Sequence, residues 1–241
     1  MHYVMSDLHG CPLEKVTSLL DTAGFGENDD LYVLGDVIDR GDNGIALLRW
    51  IMRQVNVSFI VGNHEAMMLG CDFLIREVTD DSIYQLTPDS LNTYMTWLYN
   101  GAQPTVDALT AVAQSVREDI FDFIAFSPFY EAITVGGRDF ILTHSGLGNF
   151  SPEKKLDDYT AHDLLWTRPS LETRYFDDIT VVFGHTPTQF YGSRYDKHAL
   201  ASDTWINIDA GCACGNDPIL LRLDDMTEFS SEGTQTVTFA D

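Results

Sequence analysis

The sequence predicts an α/β fold in which two packed mixed β-sheets are flanked by helices, with a helical insertion. Three observations carry this. Strand and helix patterns alternate from residue 2 to residue 61, the segment from about 66 to 127 turns helical, and the remainder reads mainly as strands. With 241 residues, 44% apolar and 21% charged, the chain is expected to form one domain over 1–241, with a helical sub-lobe at about 66–127.

His2–Met5 is a short apolar strand. Leu13, Val16, Leu19 and Leu20 recur at helical spacing, and Gly24 follows as a stop. Leu31–Leu34 is a strand ending at Gly35, Ile45–Met52 a helix and Val57–Val61 a third buried strand. This order implies a parallel sheet with right-handed crossovers, in which ligands collect beyond the carboxyl ends of the strands. Pro88-Asp89-Ser90 opens a helix with Leu91, Tyr94, Met95 and Leu98 as its apolar stripe and Gly101 as its stop; Trp97 reads as sub-lobe core. One further helix is expected from about Thr105 to Ala125, ended by Ser127-Pro128. Tyr130–Val135 and Asp139–Leu142 flank Gly136-Gly137 as a hairpin. Later strands are expected at Thr180–Phe183, Trp205–Ile208, Ile219–Leu223 and Thr236–Phe239.

The formal net charge is −23, from 37 acidic and 14 basic residues, which argues against nucleic acid and anionic membrane surfaces as partners. No stretch is apolar enough to span a bilayer, and no secretory signal precedes the first strand, so a cytoplasmic location is expected. Cys11, Cys71, Cys212 and Cys214 then read as free thiols, the pair at 212 and 214 as small buried residues of a tight loop. His2, His162 and His198 read as surface or packing histidines.

Four segments carry chemistry: Asp7-Leu8-His9-Gly10, Gly35-Asp36-Val37-Ile38-Asp39-Arg40-Gly41, Gly62-Asn63-His64-Glu65 and Gly184-His185-Thr186-Pro187. Each sets Asp, His or Asn just after an apolar run, and so does His144. Together they offer oxygen and nitrogen ligands for two metal ions, with Asp36 able to lend one oxygen to each. A donor set without thiolate suits two divalent ions of Mn, Fe or Zn, Mn first, better than Ca or a structural Zn.

These residues resemble the phosphoprotein phosphatase family within the calcineurin-like metallophosphoesterases, in its compact bacterial and phage form. G-D-x-x-D-R-G and G-N-H-E match in full, and D-x-H-G, T-H and G-H-T-P match in order, from Asp7 to His185. The resemblance implies that Asp7, His9 and Asp36 hold one metal, and Asp36, Asn63, His144 and His185 the other. A bridging water activated by both cations would attack phosphorus. His64 would protonate the leaving oxygen, oriented by Asp39. Arg40, Asn63 and Arg168 would bind the substrate phosphate. The chain then reads as a phosphomonoester hydrolase, first a protein serine/threonine phosphatase acting on a phosphorylated protein or small phosphate ester. The alternative is dinucleoside tetraphosphate (diadenosine tetraphosphate) hydrolysis. Relatives of that kind usually lack an acid at the Asp39 position and carry Asp where Glu65 stands, which sets the order of the two readings. A non-catalytic phosphate-binding module is a third reading, opposed by the intact ligand set. The loop 209–215 lacks the tyrosine of larger eukaryotic members, and the long additions that bind regulatory subunits are missing, so no regulatory subunit is expected. Trp97-Leu98-Tyr99-Asn100-Gly101 is similar to the bacterial proteins.

Overall fold

The computed structural model describes residues 1–75 and 87–239. Strands β1 (His2–Met5), β2 (Asp30–Val33) and β3 (Val57–Phe59) pair in parallel, with Tyr3 opposite Leu31 and Leu31 opposite Val57. Helices α1 (Leu13–Ala23) and α2 (Gly44–Ile51) make the crossovers, and Gly24 ends α1 with φ 72°. The helical insertion follows as α3 (Asn63–Leu69), α4 (Pro88–Tyr99), α5 (Gln103–Thr110) and α6 (Gln114–Phe126). A second sheet comprises β4 (Tyr130–Val135), β5 (Arg138–Thr143), β6 (Ile179–Phe183), β7 (Leu200–Ala201) and β8 (Trp205–Asn207), in the order β4-β5-β6-β8-β7. The short helix α7 (Ala161–Leu165) lies between β5 and β6 in the chain. The last strands, β9 (Leu220–Arg222), β10 (Thr227–Ser230) and β11 (Gly233–Thr236), return to the first sheet, giving β11-β10-β9-β1-β2-β3.

Strand periodicity explains the layering. Val4, Leu34 and Ile60 of one sheet meet Phe140, Leu142, Val182 and Ile206 of the other in one buried cluster. The alternate residues face away: Tyr3, Met5, Leu31 and Val33 pack with Leu19, Leu20 and Leu48 of α1 and α2. Ile141, Val181, Phe183 and Trp205 form a third cluster with Leu164 of α7. Both sheets are therefore buried on both faces in their middle strands, as their parallel pairings require.

Three of the expected elements differ from the structure. The single helix expected from Thr105 to Ala125 is two, because Ala113 is extended (φ −62°, ψ 152°) between α5 and α6. Buried Arg117 stabilises the break: its guanidinium donates to the carbonyls of Leu109 (3.3 Å) and Val112 (3.1 Å) at the end of α5, and ties them to the carbonyl of Ile75 (2.9 Å). The expected α4 stripe is only partly inward. Leu91 and Met95 are exposed, Tyr94 and Leu98 pack partly against the core, and Trp97 is the fully buried residue. At the carboxyl end the strand lies at Gly233–Thr236, not Thr236–Phe239, and pairs with β10, which was not expected. Every residue of β11 is exposed, so it has no apolar alternation to read.

Candidate metal centre and active site

Most candidate residues stand on loops beyond the strand ends, with Asn63 and His64 opening α3, and several of those loops are held in strained backbone. Among the described residues, nine non-glycine positions have positive φ, and six are Asp7, His9, Asp36, Asp39, Arg40 and His185. Such conformations persist where surrounding contacts over-determine them, and they gather at functional sites. The Asp7 and His9 amides donate to the carbonyls of Gly35 (3.1 Å) and Asp36 (2.9 Å), stitching the first two loops together. A Cβ on Gly184 would overlap the Asp7 carboxylate, so the close approach of those loops requires glycine there.

Two clusters of metal-ligating atoms share Asp36: His9 with Asp36 and His64, and Asp36 with His144 and His185. Asp36 Oδ2 faces His9 Nε2 at 3.7 Å, and Oδ1 faces His144 Nε2 at 3.5 Å, so its two oxygens point to different clusters. Asn63 Oδ1 lies 2.9 Å from both His144 Nε2 and His185 Nδ1. Imidazole tautomers are set from behind. His144 Nδ1 donates to the Leu34 carbonyl (2.8 Å) and His9 Nδ1 to the Ile38 carbonyl (3.1 Å), leaving Nε2 as the free lone pair turned to Asp36. Asp7 uses Oδ2 to accept the His185 amide (2.9 Å) and stands outside both clusters. Its Oδ1 and His185 Nε2 are buried with no hydrogen-bond partner among the described residues.

Electrostatics agree with a cation-binding role. Burial lowers His9 to about 3 and, with His144 adding to it, His185 to about 2, so both rings are neutral lone-pair donors. Burial would raise Asp36, but the imidazoles of His144 and His64 outweigh it and hold its carboxyl below the usual range. Burial and the nearby Asp209 push Asp7 up. A set of convergent oxygens and imidazole nitrogens, two of its polar atoms orphaned, fits a pair of divalent cations.

Beside these clusters, His64 Nδ1 pairs with Asp39 Oδ2 at 2.5 Å. Burial would lower His64, but Asp36 and the Asp39 hydrogen bond overcome it and raise it. Asp39 is itself held by the insertion: Trp97 Nε1 donates to Oδ2 (2.7 Å), Thr105 Oγ1 donates to Oδ1 (2.6 Å), and the Asp39 amide donates to Thr105 Oγ1 (2.9 Å). Glu65 accepts the amides of Asp36 (2.8 Å), Val37 (2.8 Å), Ile38 (3.2 Å) and Gly62 (3.1 Å), fixing the Asp36 loop. From the sequence Trp97 is expected as sub-lobe core and Thr105 only as the start of a helix, because no local pattern links either to Asp39. Sequence reasoning also passed over Asp209, buried and pushed up to about 7 by burial, although it follows an apolar run just as Asp7 and Asp36 do.

Arg40 and Arg168 line the same cavity of about 150 Å³ as His9, Asp36, Asn63 and His64. Arg40 Nη2 is 3.4 Å from His64 Nε2, and Arg168 donates to Thr186 Oγ1 at 2.9 Å. Cys214, expected to be buried, is exposed and lines this cavity, while Cys212 is half-buried. The loop opens here because Gly211 and Gly215 both take left-handed backbone around one short turn. All four cysteines are free. His198, expected at the surface or in packing, pairs with buried Glu228 at 2.7 Å.

The fold and the two clusters around Asp36 define a dinuclear-metal hydrolase architecture. Residues 3–210 match the calcineurin-like phosphoesterase family, and the chain belongs to that family. It is similar to the symmetrical bis(5'-nucleosyl)-tetraphosphatase of Haemophilus ducreyi, at 37% identity over 78 residues, 32% of this chain and only 28% of that protein. It is also similar to the asymmetrical bis(5'-nucleosyl)-tetraphosphatase PrpE of Bacillus velezensis, at 22% identity over 96% of this chain and 92% of that protein. A cold-active protein-tyrosine phosphatase of a psychrophile, Shewanella, shares the fold with a TM-score of 0.60 at 19% identity, over 98% of this chain and 80% of that one. Among the described residues no helix is long and apolar enough to cross a membrane.

Proposed function

We propose that this chain is a metal-dependent phosphoesterase whose preferred substrate is a dinucleoside polyphosphate. The observation that carries the substrate class is the likeness to an asymmetrical bis(5'-nucleosyl)-tetraphosphatase along almost the whole of both chains. This reverses the order reached from the motifs alone. Asp7, His9, Asp36, Asn63, His144 and His185 would hold two divalent cations, Mn first, which supply charge to the phosphate oxygens and activate water. Arg40 and Arg168 bind and orient the phosphate chain in the cavity, and Asn63 adds a neutral contact. His64, kept protonated by Asp39, holds a proton at Nε2 beside the cavity for the leaving oxygen.

A protein serine/threonine phosphatase is the second reading, favoured by the His64–Asp39 pair. A nucleotide leaves as a stable phosphate anion and needs little protonation, whereas a serine alkoxide needs a proton badly. An enzyme that only cleaved anhydrides would gain little from the network of Asp39, Trp97 and Thr105.

One preparation loaded with Mn²⁺ and assayed on diadenosine tetraphosphate, phosphoserine peptides and p-nitrophenyl phosphate separates the readings. The proposal expects the highest kcat/KM on the dinucleotide. Faster phosphopeptide cleavage reverses the order, and no turnover of any of the three defeats both.

A further inference from the structure

We propose that Trp166 and Phe190 form a nucleobase-stacking wall at the mouth of the candidate site, a specificity element that rests on the dinucleotide reading above. Both line the cavity that holds His9, Asp36 and Arg168, yet Trp166 is 39% and Phe190 69% exposed. The cavity's volume, about 150 Å³, admits phosphate groups but not a nucleoside as well. Small-molecule sites usually measure about 300–1,000 Å³, so a base attached to the bound phosphates must lie at the rim. That rim is where the two aromatic rings stand.

Their placement is firm. Trp166 closes α7, its amide donating to the His162 carbonyl at 3.2 Å, and its ring meets the edge of His185 at 6.1 Å and 84°. Phe190 stands in the short turn after Pro187, its amide donating to the Pro187 carbonyl at 2.9 Å. Arg168, two residues beyond Trp166, lines the same cavity and would set a phosphate-binding charge there. A planar base with an attached phosphate matches this order of aromatic and guanidinium groups. Stacking is also uncharged, so it adds affinity for an anionic ligand that a body of charge −23 otherwise repels.

Calorimetric titration of the Mn²⁺-loaded protein with AMP and with ribose 5-phosphate tests this without turnover. Stacking is worth about 1–3 kcal/mol per base, so AMP should bind roughly 5- to 150-fold more tightly than its base-free analogue. Trp166→Ala and Phe190→Ala should each bring that ratio down towards unity, whatever they do to the absolute affinities, and Trp166→Phe should keep most of it. Phe126→Ala removes an exposed ring outside the cavity and should leave the ratio as it is. A wild-type ratio near unity, or a ratio unmoved in both alanine variants, overturns the wall. AMP preference without dinucleotide hydrolysis would sink the proposed activity and keep the wall, and hydrolysis with a ratio of unity would do the reverse.

Discussion

His64 shows how one side chain gathers meaning from its neighbours. The string Gly62-Asn63-His64-Glu65 places it beside a candidate ligand, and Asp39 is legible as its partner because Gly35-Asp36-Val37-Ile38-Asp39 is a contiguous motif. Trp97 and Thr105, which hold Asp39, come from a different part of the chain, and no local pattern links them to it. Three experiments follow. His64→Asn should lower kcat by about 10²–10⁴ on phosphoserine peptides and much less on p-nitrophenyl phosphate or diadenosine tetraphosphate, as for a lost general acid. Equal losses on all three would remove His64 from that role. The pH dependence has a definite sign. The His64 pKa is raised above 6.5, so the proton is fully present below that value and lost as pH climbs through the higher one. Phosphoserine turnover should therefore fall on the alkaline side, and the His64→Asn profile should lack that limb. Trp97→Phe, which keeps the ring buried but deletes the donor to Asp39, should bring the limb to a different pH and cost about 10- to 150-fold in kcat, for the roughly 1.5–3 kcal/mol of a hydrogen bond to a charged group. An unchanged profile would mean that the indole serves packing alone.

The insertion was legible in its existence and illegible in its joints. Apolar residues Val106, Leu109, Val116, Ile120 and Ile124 run on at helical spacing across the break at Ala113, so periodicity reports one helix where the chain makes two. What decides the matter is a buried guanidinium, and its partner carbonyls are backbone atoms that no sequence pattern displays. The central strands were readable for the opposite reason: each is buried on both faces and shows a continuous apolar run. Arg117→Met keeps the apolar stem but removes the guanidinium donors to the carbonyls of Leu109, Val112 and Ile75. It should lower unfolding free energy by about 1–3 kcal/mol in a denaturant titration. It should also loosen α5, which carries Thr105, so kcat on phosphoserine should fall more than KM rises. Unchanged stability would show that water replaces the guanidinium at these carbonyls.

Across the whole molecule, the candidate site is a concentration of buried acid in a chain that is already strongly negative. Asp7, Asp36 and Asp209 are each 1–2% exposed, and Asp7 and Asp209 are pushed up by burial and by neighbouring carboxylates. Without cations Asp7 and Asp209 work against folding, through desolvation and like-charge repulsion. With cations, ligand binding to the folded state alone adds stability: at a free concentration of about 100 times Kd it amounts to about 2.7 kcal/mol. For a domain of this size each kcal/mol moves Tm by about 2–4 °C, so saturating Mn²⁺ should raise Tm by about 5–10 °C over protein stripped with a chelator. Asp36→Asn separates the two effects. It removes the shared ligand and the carboxylate that the His144 and His64 imidazoles hold below its usual range, so the stripped variant should melt at or below stripped wild type and gain almost nothing from Mn²⁺. If wild type and the variant gained equally, the cations would be binding elsewhere on the acidic surface, and Asp36 would not be the residue that joins the two clusters into one metal centre.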